Sequence, residues 1–253
     1  MIMLKKIVVF LSLFGCLFQA YADQNNISRN STNQDTTRIG VGGLYGMNKT
    51  SDATTTDTGG YLTLLARNIL NQRVLFEVGL DIGLGPSTVS GTYLSKPKAW
   101  VDTFSHAKIG LNLVPRAHNP LFINLGYSFD QHITGAYWTN NVDQSFRSAG
   151  HYIGLELQRF INADQRLHFE YAIGYWYMFH GYHYLESARS NIDDFSYAIK
   201  GQVGFGYNIS SRLEFFMNAK VRYYNIAASH QNSTWSYKAT DNLIGMVELG
   251  IGF

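Results

Sequence analysis

Thiols are almost missing from this chain, which has one cysteine, Cys16, in 253 residues. That cysteine falls in an amino-terminal stretch where Lys5 and Lys6 precede an apolar run from Ile7 to Phe18, and Ala20-Tyr21-Ala22 offers a small-x-small cleavage pattern. This is the layout of an export signal, so residues 1–22 are expected to be removed and Asp23 to begin the mature chain. Leu13-Phe14-Gly15-Cys16 has the outline of a lipoprotein box, but Phe14 is bulky for it and the Ala-Tyr-Ala site is better placed. Disulfides, thiol nucleophiles and cysteine metal ligands are thereby excluded from the mature chain.

Long apolar runs are also lacking. No stretch of 18 apolar residues follows Ala22, which excludes a helical membrane span. Net charge is lacking too. Of 20 basic and 18 acidic residues, only Lys5 and Lys6 fall in the signal, so the remainder carries 18 of each sign. That balance gives no argument for a nucleic-acid partner. Residues 23–36 are polar apart from Ile27 and are read as a flexible periplasmic lead-in.

What the chain has is alternation. In the last stretch, Leu243, Gly245, Val247, Leu249, Ile251 and Phe253 point one way and Ile244, Met246, Glu248, Gly250 and Gly252 the other, because side chains alternate across a strand. Val74, Phe76, Val78, Leu80, Ile82 and Leu84 likewise oppose Leu75, Glu77, Gly79, Asp81 and Gly83. Ten such segments are read, beginning at Arg38, Gly60, Arg73, Trp100, Leu121, Ala149, Leu167, Phe195, Leu213 and Leu243. Short turns (Ile69–Gln72, Val114–Pro120, Ile161–Gln165, Asn208–Ser211) alternate with longer polar stretches (Lys49–Gly59, Gly85–Ala99, His132–Ser148, His183–Asp194, Ile226–Ala239). Short periplasmic turns and long extracellular loops are the pattern of outer-membrane barrels. The expected fold is therefore all-β, a closed antiparallel up-and-down transmembrane β-barrel over residues 37–253, with ten strands and eight as the alternative.

Glycine recurs on the face that carries Glu, Lys and Asn, as in Gly79 beside Glu77 and Gly204 beside Lys200, and the crowded concave face favours glycine. The charged side is thus read as the inside, the reverse of a soluble barrel. Tyr45, Tyr127, Phe129, Tyr175, Tyr177, Tyr197 and Tyr223 cluster toward the long-loop ends, and Phe160, Phe169, Phe205, Tyr207, Phe215 and Phe253 toward the short turns. Two aromatic bands match the interfacial girdles of a membrane protein.

With its terminal aromatic, the chain resembles the small bacterial outer-membrane barrels of the OmpA-transmembrane, OmpX and opacity-protein type. The resemblance implies a Gram-negative outer-membrane location, lipid around the barrel, and recognition of Phe253 by the barrel-assembly machinery. It also implies a structural, adhesive or narrow-pore role, with a host surface or glycan as ligand and no cofactor. Within the lumen, Glu77, Glu156, Glu170 and Glu248 fall near one height, with Lys108, Lys200 and Lys220 close above, and such charges are expected to pair as a plug or to line a narrow pore. In the loops Tyr137, Trp138, Tyr184, Trp235 and Tyr237 are candidates for recognition.

Catalysis is weighed at the rim, where Asp130-Gln131-His132 sets a carboxylate and an imidazole on one face with Asp81, Asp102 and His106 in reach. Ten-stranded outer-membrane barrels include the omptin proteases, but their acidic-and-tryptophan motif is not visible here, and no His-x-Ser of a barrel-type lipid deacylase occurs. His168-Phe169-Glu170 is read as structural. No residue is assigned as catalytic, and the chain is read as a barrel without enzymatic activity.

Overall fold

The computed structural model describes residues 34–91, 99–115, 119–134, 146–163, 166–185, 188–210, 212–230 and 236–253. The signal segment 1–22, most of the proposed lead-in, and Tyr137, Trp138 and Trp235 lie outside them. Eleven strands occur: β1 (Gln34–Lys49), β2 (Ala53–Leu70), β3 (Val74–Gly91), β4 (Ala99–Asn112), β5 (Leu121–Thr134), β6 (Phe146–Asn162), β7 (Leu167–Leu185), β8 (Ala188–Ile192), β9 (Tyr197–Ser210), β10 (Leu213–Ile226) and β11 (Thr240–Gly252). Neighbours pair antiparallel, β1 closes on β11, and the β6–β7 pairing completes the ring. The short β8 pairs with the extracellular end of β7 above β9, so ten strands form the barrel.

The alternation sorts side chains as the sequence requires. Val41, Leu111, Leu155, Ile173, Val203 and Val247 are exposed on the outer wall, whereas Arg67, Glu77, Asp81, Glu170 and Glu248 are buried inside. A continuous apolar outer wall on a closed barrel is the surface that hydrocarbon covers, and closure leaves no unpaired ladder edge. The outer aromatic bands form as expected except for Phe160. It turns inward, 9 % exposed, and packs edge-on to Phe122.

The strands run further than the sequence suggests. The stretch Lys49–Gly59, expected to be a loop, is strand on both sides of a tight turn at residues 50–52, where Thr50 N–H donates to the Ala53 carbonyl at 2.9 Å. β1 starts at Gln34, three residues before Thr37, and β3, β5, β6 and β7 reach into the other predicted loops. Of the long connections, only residues 227–239 carry no strand among the described residues. On the opposite side β2 and β3 join through Asn71 and Gln72, both in left-handed conformation (φ 50° and 56°). That geometry matches the twist of a hairpin.

Two irregularities re-aim the wall. Between β2 and β3 the ladder opens from Asp57↔Ser87 to Gly60↔Leu84, and the Trp100 indole N–H there donates to the carbonyls of Thr58 (3.2 Å) and Pro86 (3.0 Å). A Cβ on Gly59 would strike the Leu84 carbonyl oxygen, so the close approach requires glycine. In β7 a bulge passes over Phe179, so that His180 pairs with His151 and Met178 with Tyr152. His180, which unbroken alternation from Glu170 would put on the inner face, therefore stands exposed beside Phe179, and His183 is turned inward.

Candidate functional site

The lumen holds nearly all the chemistry, and its lower half is a lattice of ion pairs. Glu214 of β10 meets Arg38 of β1 at 2.7 Å, Arg38 meets Glu170 of β7 at 3.0 Å, and Glu170 meets Arg67 of β2 at 2.9 Å. Arg67 continues to Glu77 of β3 at 2.6 Å, Glu77 to Lys108 of β4 at 2.6 Å, and Lys108 to Glu156 of β6 at 2.7 Å. One unbroken chain of alternating charge thus crosses seven strands. His168 caps it at Glu214 (3.2 Å), and His106 meets Glu77 (3.1 Å). A second group links Glu248 to Lys220 (2.8 Å), Lys220 to Asp81 (3.0 Å) and Asp81 to Arg222 (2.5 Å).

Most of these cations also lie over an aromatic ring. Arg38 faces Phe216 at 5.1 Å, Arg67 faces Phe160 at 4.6 Å, Arg222 faces Phe104 at 4.1 Å and Lys200 faces Trp176 at 4.8 Å. The inward Phe160 is therefore a partner of the lattice rather than part of the girdle. Desolvated charges persist when each keeps an opposite charge, and here carboxylates, guanidiniums and rings share that work, with only Arg38 Nε and Arg67 Nη2 of these guanidiniums left without a hydrogen bond among the described residues. All seven charges expected in the lumen, Glu77, Lys108, Glu156, Glu170, Lys200, Lys220 and Glu248, face inward and are paired. They do not form one layer, because Lys200 sits higher with Asp130 (2.6 Å) and Ser128 (2.6 Å). Arg38, Arg67, Asp81, Glu214 and Arg222 complete the groups. Inward parity placed most of them in the lumen; hairpin register sets Arg67 opposite Glu77 and Glu77 opposite Lys108, and the stagger of the closed barrel brings Glu170 to Arg38 and Arg67.

The extracellular mouth is built differently. His132 Nδ1 lies 2.5 Å from Asp102, and its other ring nitrogen is 3.8 Å from Asp57, which accepts from Ser87 at 2.5 Å. Of the acids proposed around His132, only Asp102 joins it. Asp130 turns to Lys200 and Tyr224, Asp81 belongs to the second lattice group, and His106 lies lower beside Glu77. His183 is buried in a triangle of rings with Phe146 (5.3 Å) and Tyr237 (4.8 Å), with neither ring nitrogen hydrogen-bonded among the described residues. A cavity of about 30 Å³ lies between these groups. A second, of about 50 Å³, lies between Glu77, Lys108, Lys200 and Arg222.

The loop candidates divide. Tyr237, 8 % exposed, is folded down onto Phe146 and His183, where it closes the mouth instead of offering a contact. Tyr184 stands on the outer wall of β7 beneath the Arg147 guanidinium. Phe253 remains on the outer face, its backbone paired with Thr37 in both directions at 2.8 Å. No group of three or more His, Cys, Asp or Glu among the described residues forms a metal site.

No protein-family model and no curated protein matches the chain. Solved structures do match. The outer membrane protease OmpT from Escherichia coli aligns over 90 % of this chain and 98 % of its own, with 10 % identity and a TM-score of 0.57. OprG from Pseudomonas aeruginosa aligns over 88 % and 95 % with 12 % identity and a TM-score of 0.39. Ail of Yersinia pestis aligns over 87 % and 99 % with 11 % identity and a TM-score of 0.34. The first of these shares the fold. With apolar residues outside and paired charges inside a closed ring of ten strands, the chain has the fold of an outer-membrane β-barrel.

Proposed function

We propose that this barrel is a non-conducting surface protein, shut by its internal charges, whose protruding strands and loops serve a structural and adhesive role. The observation that carries the reading is the chain of ion pairs from Glu214 to Glu156, which reaches from wall to wall. A pore needs a continuous wet path lined by groups that ions can leave. The two internal spaces, about 30 and 50 Å³, have room for about one to a few waters each. In planar bilayers, wild type and a Lys200→Gln/Lys220→Gln double variant are both expected to stay silent, and stepwise conductance by wild type would overturn the closed reading. Non-adherent bacteria displaying the protein are expected to gain attachment to host cells or glycan arrays. Unchanged attachment would remove the adhesive part.

A hydrolase at the mouth is the second reading, favoured by one observation: His132 and Asp102 stand at hydrogen-bond distance beside the extracellular cavity, an imidazole oriented by a carboxylate. The shared fold with an outer membrane protease makes peptides the first substrates to try. Cleavage of a peptide library that disappears in Asp102→Asn and His132→Ala would establish it, and no cleavage by the folded wild type would discard it.

A further inference from the structure

Polar atoms buried without a hydrogen-bond partner gather at the extracellular mouth. Among the described residues, Asn48 Oδ1, His132 Nε2 and both ring nitrogens of His183 are in this state, and all three residues line the cavity of about 30 Å³. His132 is 8 % exposed and His183 1 %. A buried polar atom left unmet costs free energy, so several of them around one space mark a place built to hold something. The lining decides the charge of what it holds. Asp102 and Asp130 line the cavity and Asp57 stands beside His132, whereas no Lys or Arg is among the described lining residues. Asp130 is already met by Lys200 and Tyr224, which leaves Asp57 and Asp102 to the mouth. The second cavity, lower in the lumen, is lined instead by Lys108, Lys200, Lys220 and Arg222.

His132 is set up as a metal ligand. Asp102 lies opposite it in the β4–β5 register and accepts from Nδ1 at 2.5 Å, which in the neutral ring leaves Nε2 with its lone pair. Nε2 stands 3.8 Å from Asp57 Oδ2, too far for a hydrogen bond. Ligand bonds of about 2.0–2.2 Å to imidazole nitrogen and carboxylate oxygen place one zinc-sized ion in that gap. The other Asp57 oxygen accepts from Ser87 at 2.5 Å, so each ligand already has its own orienting partner. His183 continues the row. His132 pairs with Ser148 across β5 and β6, and Ser148 pairs with His183 across β6 and β7. The two imidazoles thus stand two strand spacings apart, about 10 Å at the backbone, a span that inward-pointing rings close on a shared ion.

We propose that the extracellular mouth binds one divalent transition-metal ion of the zinc class, with His132 Nε2 and Asp57 Oδ2 as its fixed ligands and His183 as the third. Imidazole and carboxylate together select zinc, copper or nickel over magnesium and calcium, which favour oxygen alone. In the structure His183 rests in its triangle with Phe146 and Tyr237, and it turns off those rings to reach the ion. Three protein ligands leave a fourth tetrahedral position for water. The ion is independent of the adhesive reading. It competes with the hydrolase reading, because a metal on Nε2 occupies the lone pair that a general base would use.

The test uses the full barrel, refolded in detergent, treated with EDTA and titrated with zinc chloride, with uptake read by calorimetry and stability by the denaturant midpoint. His151 and His180, whose rings lie 5.5 Å apart on the outer wall, are first changed to Gln so that they hold no ion. In that background one zinc per barrel is expected, with a midpoint that rises with zinc and stays fixed in the same concentration of magnesium chloride. Added to it, His132→Gln should abolish uptake. Asp57→Asn should weaken zinc about 100-fold, the upper end of what losing even an outer partner costs, and His183→Phe, which keeps the ring packing, about tenfold. Each variant is read on protein that keeps the heat-modifiable migration of the folded barrel on gels. No uptake in the background lacking the outer pair, an equal response to magnesium, or an affinity unchanged by Asp57→Asn or by His183→Phe would overturn the proposal.

Discussion

The lower lumen and the extracellular mouth are lined by the same ten strands with the same alternation, yet they are held together differently. Below, Arg38, Arg67 and Lys108 each bridge two carboxylates from different strands. Above, rings and backbone groups carry the packing: Trp100 bridges an opened ladder, Tyr152 and Tyr224 meet edge-on at 5.9 Å, and Tyr237 closes over His183. The difference teaches where each kind of interaction is stable. The lower lumen has room for only a few waters, so its charges pair with one another, whereas the mouth tolerates single imidazoles and half-met hydroxyls.

Substitutions can break this contrast. The largest effect is expected for Arg67→Ala, which strands Glu77 and Glu170 together and should lower stability by about 3–5 kcal/mol. The check is the denaturant midpoint of the detergent-refolded barrel. Trp100→Phe keeps the ring but leaves the Thr58 and Pro86 carbonyls without their donor, and should cost about 1–3 kcal/mol in the same assay. The smallest effect belongs to Lys238→Ala. Its partner Asp52 is exposed, its carboxyl drawn below the ordinary range by hydrogen bonds from Lys238 and Ser51, and the unfolding midpoint should not move. A large loss from Lys238→Ala or a small one from Arg67→Ala would erase the distinction between the two regions.

The lipid-embedded part of this fold was legible because hydrocarbon writes itself into the sequence. Wherever a strand crosses the membrane, every second residue is apolar, as at Val247, Leu249 and Ile251. Above the membrane that signal ends while the strand goes on. Thr54, Thr55 and Thr56 are good strand formers paired with Lys49, Asn48 and Met47, but both faces are polar or small, and the stretch reads as a loop. The bulge at Phe179 was equally hidden, since a single skipped residue leaves no compositional trace and exchanges the faces of His180 and His183. Parity also placed Asp130 beside His132 at the rim, whereas the β4–β5 register sets Asp102 directly opposite His132 and Asp130 turns to Lys200. Alternation names the face of a residue, register names its neighbour on the next strand, and closure names its neighbours across the lumen.

The path of charge from Glu214 to Glu156 begins near the carboxyl terminus, passes through the first strand, and ends midway along the chain. None of its links between distant strands exists until the ring has met itself at β1 and β11. Interactions absent from a transition state slow unfolding without hastening folding. A barrel latched in this order would assemble at the pace of its hairpins and then persist for long times, a durability set by kinetics.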